Sequence, residues 1–189
     1  MRIVGGAFGG RRLEVPFDER TRPMLEKTRG AVFNILGGAV AGARVLDLFS
    51  GTGALGLEAI SRGAAWARFV ERDRVALRCL RENIAAFGAA DRCEIEAIPV
   101  EEAVTRAEAG GFALAFLDPP YRDVEDRARR RAILGIAADL VGRVLAPGGS
   151  LVFHFPTGSV GEHELPAGLD GAPRRYGRNT IAIFRRPQE

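Results

Sequence analysis

The chain has few of the residues that build disulfide frameworks or metal centres. It contains 2 cysteines and 2 histidines among 189 residues, and Cys79 and Cys93 lack the spacing of a disulfide framework or a metal-ligand motif. No apolar run approaches the ~20 residues that cross a bilayer, and the glycine-rich start is too short for a signal peptide. The sequence therefore predicts a cytoplasmic protein that binds no metal and does not span a membrane.

Lysine is scarcer still, because Lys27 is the only one. The net charge of +3 says little about partners, but arginines crowd both ends of the chain. They are Arg2, Arg11, Arg12, Arg20, Arg22 and Arg29 near the start, and Arg174, Arg175, Arg178, Arg185 and Arg186 near the end. Arginine suits bidentate phosphate contacts and base stacking, so the two ends fit a nucleic-acid footprint. A plain solvated surface fits them equally well.

Alternating strand and helix patterns predict the fold class. From residue 43 onward, apolar runs alternate with helical patterns. The runs lie at 44–49, 67–71, 93–98, 112–117 and 149–155, and the helical patterns near 54–62, 74–87, 99–109 and 125–145. Continuous apolar runs are typical of strands buried on both faces, as in a parallel sheet under helices. Weaker strand patterns follow at 161–165 and 180–184, and we expect an α/β protein.

The first residues have a different pattern. Residues 1–17 hold two short alternating stretches joined by glycines, which predicts a hairpin. A helical pattern then begins at Pro23 and ends at Gly37-Gly38. We expect an N-terminal β-ribbon appendage over residues 1–20 and one domain over residues 21–189.

A glycine-rich turn follows the first apolar run. Gly51, Gly53 and Gly56 fit the pattern G-x-G-x-x-G, and Glu71 follows Gly51 at about the 20-residue distance of a dinucleotide-binding fingerprint. The pattern predicts that a ligand lies against bare backbone above this strand. A turn that merely packs tightly is the simpler alternative.

Asp47 favours one ligand over another. It lies near the carboxyl end of the strand, where a dinucleotide would bring its pyrophosphate and be repelled. S-adenosylmethionine has no phosphate, and its ammonium and sulfonium groups attract a carboxylate. Glu71 serves either ligand, because both carry a ribose whose hydroxyls it can accept from. We therefore predict S-adenosylmethionine as the cofactor.

A tetrapeptide ends the fourth apolar run. Asp118, Pro119, Pro120 and Tyr121 place a carboxylate, a stiff carbonyl and an aromatic ring where open α/β sheets bind ligands. An exocyclic amine on a base is a poor nucleophile, because its lone pair is delocalised into the ring. Hydrogen bonds to Asp118 and to the Pro119 carbonyl would aim that lone pair, and Tyr121 would stack on the base. We predict these four residues to be catalytic.

Several stretches together resemble the bacterial 16S ribosomal RNA guanine-N2 methyltransferases of the RsmD family, over nearly the whole chain. The matching stretches are residues 1–6, Thr21-Arg22-Pro23, Arg29, 33–36, 47–64, 69–71, 118–121 and Tyr176-Gly177. The glycine loop and the tetrapeptide are shared by many amino-methyltransferases. The opening residues, the Arg-Pro…Phe-Asn helix and the Tyr-Gly tail point to this family.

The resemblance implies a Rossmann-like methyltransferase sheet, mostly parallel and seven-stranded with an antiparallel last strand, and an N-terminal ribbon that touches RNA. It implies methyl transfer from S-adenosylmethionine to guanine N2, by a monomer acting on ribosomal RNA or a partly assembled small subunit. The predicted cofactor site comprises Arg22, Asn34, Asp47, Ser50, Gly51, Thr52, Gly53, Glu71, Arg72, Ile98, Pro99 and Val100. The predicted RNA contacts are Arg2, Arg11 and Arg12.

The chain departs from the family pattern at three places. The family usually has threonine and aspartate after Arg-Pro, where this chain has Met24-Leu25-Glu26. An aspartate that contacts adenine is common where this chain has Ile98-Pro99-Val100, so backbone and apolar contacts would replace it. The fifth strand of the family usually ends in a glutamate, and this chain has His154 in that neighbourhood. A lone histidine is more often structural than catalytic.

Other functions remain open at this point. The same class of enzyme could methylate adenine or a protein glutamine. A nicotinamide-dependent oxidoreductase would use the glycine loop, but it leaves Asp47 and the tetrapeptide unexplained. A non-catalytic RNA-binding module would leave the catalytic positions without a purpose.

Overall fold

The computed structural model describes residues 1–16 and 24–188. Its strands are β1 (Arg44–Leu48), β2 (Trp66–Val70), β3 (Cys93–Glu96), β4 (Phe112–Leu117), β5 (Leu145–Pro156), β6 (Arg174–Tyr176) and β7 (Asn179–Arg185). Its helices are α1 (Glu26–Leu36), α2 (Ala54–Ser61), α3 (Arg74–Ala86), α4 (Val100–Arg106), α5 (Tyr121–Glu125) and α6 (Arg127–Asp139). The chain divides into two compact units, Met1–Val100 and Glu101–Glu189.

The N-terminal unit contains the strands β3, β2 and β1, which pair in that order and are all parallel. All residues of β1 after Arg44 are buried, as its apolar sequence predicts. Helix α3 begins where Asp73 accepts hydrogen bonds from the amides of Val75 and Ala76, each at 2.9 Å, which satisfies two of the amides that a helix start leaves open. The buried face of α3 includes Leu77 and Leu80.

Residues 1–16 form a short antiparallel ribbon that is anchored to the rest of this unit. Arg2 and Arg12 pair through an antiparallel backbone β-bridge, and the Leu13 amide donates to the Met1 carbonyl at 3.0 Å. Ile3 and Leu13 are buried. The boundary predicted near residue 20 and the helix start predicted at Pro23 lie outside the described residues, so the division at residue 20 stays a prediction.

A buried ion pair fixes this ribbon. Glu58 on α2 lies 3.3 Å from the Arg29 guanidinium, and both side chains have 0% exposure. The same carboxylate accepts hydrogen bonds from the amides of Val4 at 2.7 Å and Gly5 at 2.9 Å. Burial lowers the pKa of Arg29, and the charge of Glu58 opposes that shift. One carboxylate thus joins α1, α2 and the ribbon.

The C-terminal unit contains β4, β5, β7 and β6, which pair in that order. Strands β4 and β5 are parallel, whereas β7 is antiparallel to both β5 and β6. Gly177, with a φ of 63°, opens the two-residue turn between β6 and β7, a position that favours glycine. The mixed seven-stranded sheet with an antiparallel last strand confirms the predicted fold class.

Two local predictions differ from the structure. The weak strand pattern at 161–165 is wrong: a short 3₁₀ turn forms at Glu162–Glu164, where the Glu164 carboxylate accepts from the Gly161 amide at 2.8 Å. The helical pattern at 125–145 contains α6 and a π turn over Leu140–Val144, and α5 ends at its first residue, because Asp126 caps a new helix by accepting from the Arg129 amide. Within the described ranges, no helix is long and apolar enough to cross a membrane.

Candidate active site

The glycine loop after β1 turns through unusual backbone conformations. Phe49, Gly51 and Gly53 have φ values of 56°, 55° and 84°. Positive φ is uncommon for a residue with a side chain and costs of order 1–3 kcal/mol, and such strain concentrates at functional sites. The amide of Gly53 closes the turn by donating to the Ser50 carbonyl at 2.8 Å.

The three glycines of the motif serve different purposes. A Cβ on Gly56 would lie 2.3 Å from the Phe69 ring, and one on Gly53 would lie 2.5 Å from Leu80. Gly56 therefore needs to be glycine for packing against the Phe69 ring, whereas Gly53 needs to be glycine for its positive φ. A Cβ on Gly51 would meet no described atom within 4 Å. Gly51 is thus the glycine of this loop whose backbone is open to a ligand.

Asp47 in β1 is almost fully buried, with 1% exposure. Its Oδ2 accepts a hydrogen bond from the Gly56 amide at 2.8 Å. A carboxylate near a helix start is favoured by the unpaired amides and by the helix dipole. The structure therefore gives Asp47 a role in holding α2, in addition to its predicted role toward the cofactor.

Glu71 holds the backbone around the same loop. Its carboxylate accepts from the amides of Gly51 at 2.9 Å, Arg72 at 2.7 Å and Asp73 at 2.8 Å. A carboxylate can accept about four hydrogen bonds, so one acceptor position remains beyond these three. The side chain is half-buried, which is compatible with its predicted contact to ribose hydroxyls.

The fit of a polar ligand to this loop can be judged from a buried hydroxyl. The Oγ of Ser50 is buried and has no hydrogen-bond partner among the residues that the structure describes. Buried polar atoms are rarely left unpaired, and such an atom calls for an explanation. An unpaired hydroxyl beside an open glycine backbone fits a ligand with polar groups.

The other predicted cofactor residues belong to the same unit. Asn34, Arg72 and Pro99 are exposed, Thr52 and Ile98 are half-buried, and Val100 is buried. Arg22 lies outside the described residues. Ile98 and Pro99 offer apolar surface where a carboxylate is missing, and their contact with adenine stays a prediction.

The tetrapeptide follows β4 directly. The Asp118 side chain is 24% exposed, Pro119 is buried, and Tyr121 is the first residue of α5. The carbonyl of Pro120 accepts the first hydrogen bond of α5, from the Asp123 amide at 2.9 Å. The Pro119 carbonyl, which we predict to accept from the target amine, lies two residues before the first residue of this helix.

The contact of His154 with the tetrapeptide is one that sequence reasoning missed. Its Nδ1 lies 2.6 Å from Asp118 Oδ1, and its side chain is 1% exposed. Leu117 pairs with Phe153 in the register of β4 and β5, so Asp118 and His154 occupy the next matched positions. The sequence shows no partner for this histidine, because the pairing depends on a register between strands far apart in the chain.

The environment of His154 favours its protonated form. Burial alone would lower the pKa of the ring. The charge of Asp118, its hydrogen bond and a smaller contribution from Asn179 outweigh burial, so the pKa is raised above its ordinary value. A carboxylate and a titratable ring therefore act as one unit at the end of these strands.

Tyr121 completes this cluster. Its hydroxyl donates to Asn179 Oδ1. Its ring meets the His154 ring edge-on, with the centroids 5.8 Å apart and the planes at 68°. The residue predicted to stack on a base is thereby held by a ring contact and by its hydroxyl.

The ribbon arginines differ in their contacts. The Arg11 guanidinium lies 4.3 Å from the centre of the Phe87 ring and donates to the Ala86 carbonyl. Arg2 and Arg12 are exposed. Arg11 thus already contacts the protein itself, and the predicted RNA contacts of all three stay predictions.

The strand pattern and the strand-end motifs define the chain as a Rossmann-like methyltransferase. One solved structure, titled "Putative methyltransferase yhhF from Escherichia coli", matches it with a TM-score of 0.81 at 27% identity, covering 100% of this chain and 99% of that one. The predicted fold class is confirmed.

The chain belongs to the family described as Conserved hypothetical protein 95, whose model matches residues 1–184. The "Putative rRNA methyltransferase YlbH" of Bacillus subtilis is 35% identical over 130 residues, which are 68% of this chain and 71% of that protein. The "Ribosomal RNA small subunit methyltransferase D" of Escherichia coli K12 is 36% identical over 122 residues, 65% of this chain and 61% of that protein. The resemblance to the RsmD family is confirmed.

Proposed function

We propose that this methyltransferase transfers a methyl group from S-adenosylmethionine to the exocyclic N2 amine of a guanine in 16S ribosomal RNA. The observation that carries the proposal is Asp118, a partly exposed carboxylate at the end of a buried strand, followed by two prolines and an aromatic ring. Two relatives are named a putative rRNA methyltransferase and a ribosomal RNA small subunit methyltransferase, and these names support the choice of substrate.

The residues of the N-terminal unit fit the cofactor. Ser50 Oγ, the Gly51 backbone and the remaining acceptor position of Glu71 would hold it by polar contacts. When bound, S-adenosylmethionine supplies a methyl group made electrophilic by its sulfonium. A buried carboxylate such as Asp47 suits a cationic ligand and disfavours the pyrophosphate of a dinucleotide.

The tetrapeptide would prepare the nucleophile. Asp118 and the Pro119 carbonyl would accept the two N–H groups of the amine, so that its lone pair is directed out of the base plane. The prolines keep the carbonyl stiff, because their φ is fixed, and Tyr121 would stack on the base. Catalysis would rest on positioning and on electrostatic support.

The experiment measures methyl transfer from isotope-labelled S-adenosylmethionine to 16S ribosomal RNA, naked or in partly assembled small subunits. Digestion to nucleosides and mass spectrometry then identifies the product. We expect N2-methylguanosine with the native chain and none with Asp118→Ala. Detection of N6-methyladenosine would instead favour an adenine methyltransferase. Label in a protein glutamine would favour a protein methyltransferase.

The cofactor is tested separately by calorimetry with S-adenosylmethionine and with NAD. Binding of NAD alone would favour the oxidoreductase. RNA binding without either cofactor would favour a non-catalytic module. We further propose that the protein acts in the cytoplasm. We also propose that it is a monomer, which its mass in solution would test.

A further inference from the structure

The contact between His154 and Asp118 uses one oxygen of the proposed catalytic carboxylate. Oδ1 lies 2.6 Å from the ring nitrogen Nδ1, which leaves Oδ2 for a substrate. An ionised carboxylate only accepts hydrogen bonds, so Nδ1 carries the proton. A charge-assisted hydrogen bond of this kind is short and directional, and it restricts rotation of a side chain that is 24% exposed.

We propose that His154 is a positioning residue that orients Asp118, so that Oδ2 is presented to the target amine. This inference rests on the proposed function. The role requires a proton on Nδ1, and both the neutral Nδ1–H form and the charged ring provide one.

The surroundings of His154 suit such a role. The ring is buried in β5, which lies between β4 and β7. Tyr121 meets the ring edge-on, and the hydroxyl of Tyr121 is bound to Asn179 on β7. A ring held on several sides cannot follow small movements of the carboxylate. Asp118 is therefore oriented by the sheet, through His154.

If His154 only filled the core, its substitution would affect stability but not turnover by the folded enzyme. Three variants separate the two roles. His154→Phe keeps a ring but removes the donor. His154→Asn restores an N–H donor at the position of Nδ1. His163→Asn is the matched control, because His163 is the other histidine of the chain and is exposed.

We expect His154→Phe to lower kcat about 10–100-fold, since misplacement of a reacting group by about 1 Å costs up to about 100-fold. The KM for RNA and the Kd for S-adenosylmethionine should stay within about threefold of the native values, because the proposal gives His154 no contact with either ligand. His154→Asn should recover part of kcat, and His163→Asn should not change it. A folded His154→Phe with native kcat, or one in which only KM changes, would overturn the proposal.

A second measurement needs no activity and no His154 variant. The two histidine rings are followed by NMR during a pH titration, with the His163 variant assigning the signals. In Asp118→Asn, the His154 titration should move to lower pH while that of His163 stays in place. An unmoved His154 titration would overturn the contact and with it the positioning role.

The two readouts also separate this inference from the proposed function. If the native chain methylates no RNA, the proposed function fails, and the titration still decides whether His154 holds Asp118. If the native chain methylates RNA and the titration does not move in Asp118→Asn, the proposed function stands and the positioning role fails.

Discussion

Three carboxylates around the glycine loop and the ribbon are held differently from the carboxylate of the tetrapeptide. In the N-terminal unit, Asp47, Glu58 and Glu71 all accept hydrogen bonds from backbone amides. In the C-terminal unit, Asp118 is held by a side chain, His154, and is partly exposed. A carboxylate held by amides maintains backbone conformation, whereas one held through a single oxygen can still bind a substrate. We therefore expect substitutions in the first group to affect stability or cofactor binding, and Asp118 to affect turnover.

The largest expected effect is on stability, from Glu58→Ala. This variant leaves Arg29 buried without its charged partner, and breaking a buried pair in this way costs about 3–5 kcal/mol. Chemical denaturation should show this loss in the free energy of unfolding. The control is Glu94→Ala, which breaks an exposed pair with Arg68 and should cost at most about 1 kcal/mol. Equal losses in the two variants would contradict the anchoring role of Glu58.

The second effect sharpens the contrast with Asp118. Asp118→Asn should lower kcat about 100–1000-fold, the usual loss when one charge-stabilising group is removed from an active site. The affinity for S-adenosylmethionine should change little, because the predicted partner of this side chain is the amine. A variant that loses cofactor affinity while keeping kcat would reverse the two roles.

The third effect concerns the cofactor. Glu71→Ala should weaken binding of S-adenosylmethionine by about 1.5–3 kcal/mol, the typical contribution of a hydrogen bond to a charged group. Calorimetry measures the change, and Glu82→Ala, on the exposed face of α3, is the control. Native affinity in Glu71→Ala would place the cofactor elsewhere.

The smallest effect concerns the ribbon. Removal of residues 1–17 would disturb the fold as well as any RNA contact, because Ile3 and Leu13 are buried and Glu58 binds the ribbon amides. Arg12→Ala should instead make the slope of log K for RNA binding against log salt concentration shallower by about 0.7, the value for one phosphate contact on single-stranded RNA. Arg11→Ala should mainly lower stability, because Arg11 contacts Phe87. An unchanged salt slope in Arg12→Ala would count against the ribbon as an RNA contact.

The sequence by itself determined the elements and the two motifs. Gly51, Gly53 and Gly56 follow an apolar strand within a few residues of one another, and Asp118 to Tyr121 are contiguous. Periodicity and local order are properties of neighbouring residues, so the alternation of strands and helices, and with it the α/β class, could be predicted without coordinates. The resemblance to a family rested on such contiguous stretches as well.

Tertiary structure alone decided which distant side chains meet. His154 contacts Asp118 because β4 and β5 pair in one register, and Asn179 reaches Tyr121 because β7 returns antiparallel. Likewise, Glu58 looks like an ordinary helix residue until the ribbon folds over it. A shift of one residue in strand pairing would turn each side chain to the opposite face. Such contacts depend on register and packing, which no local pattern of residues specifies.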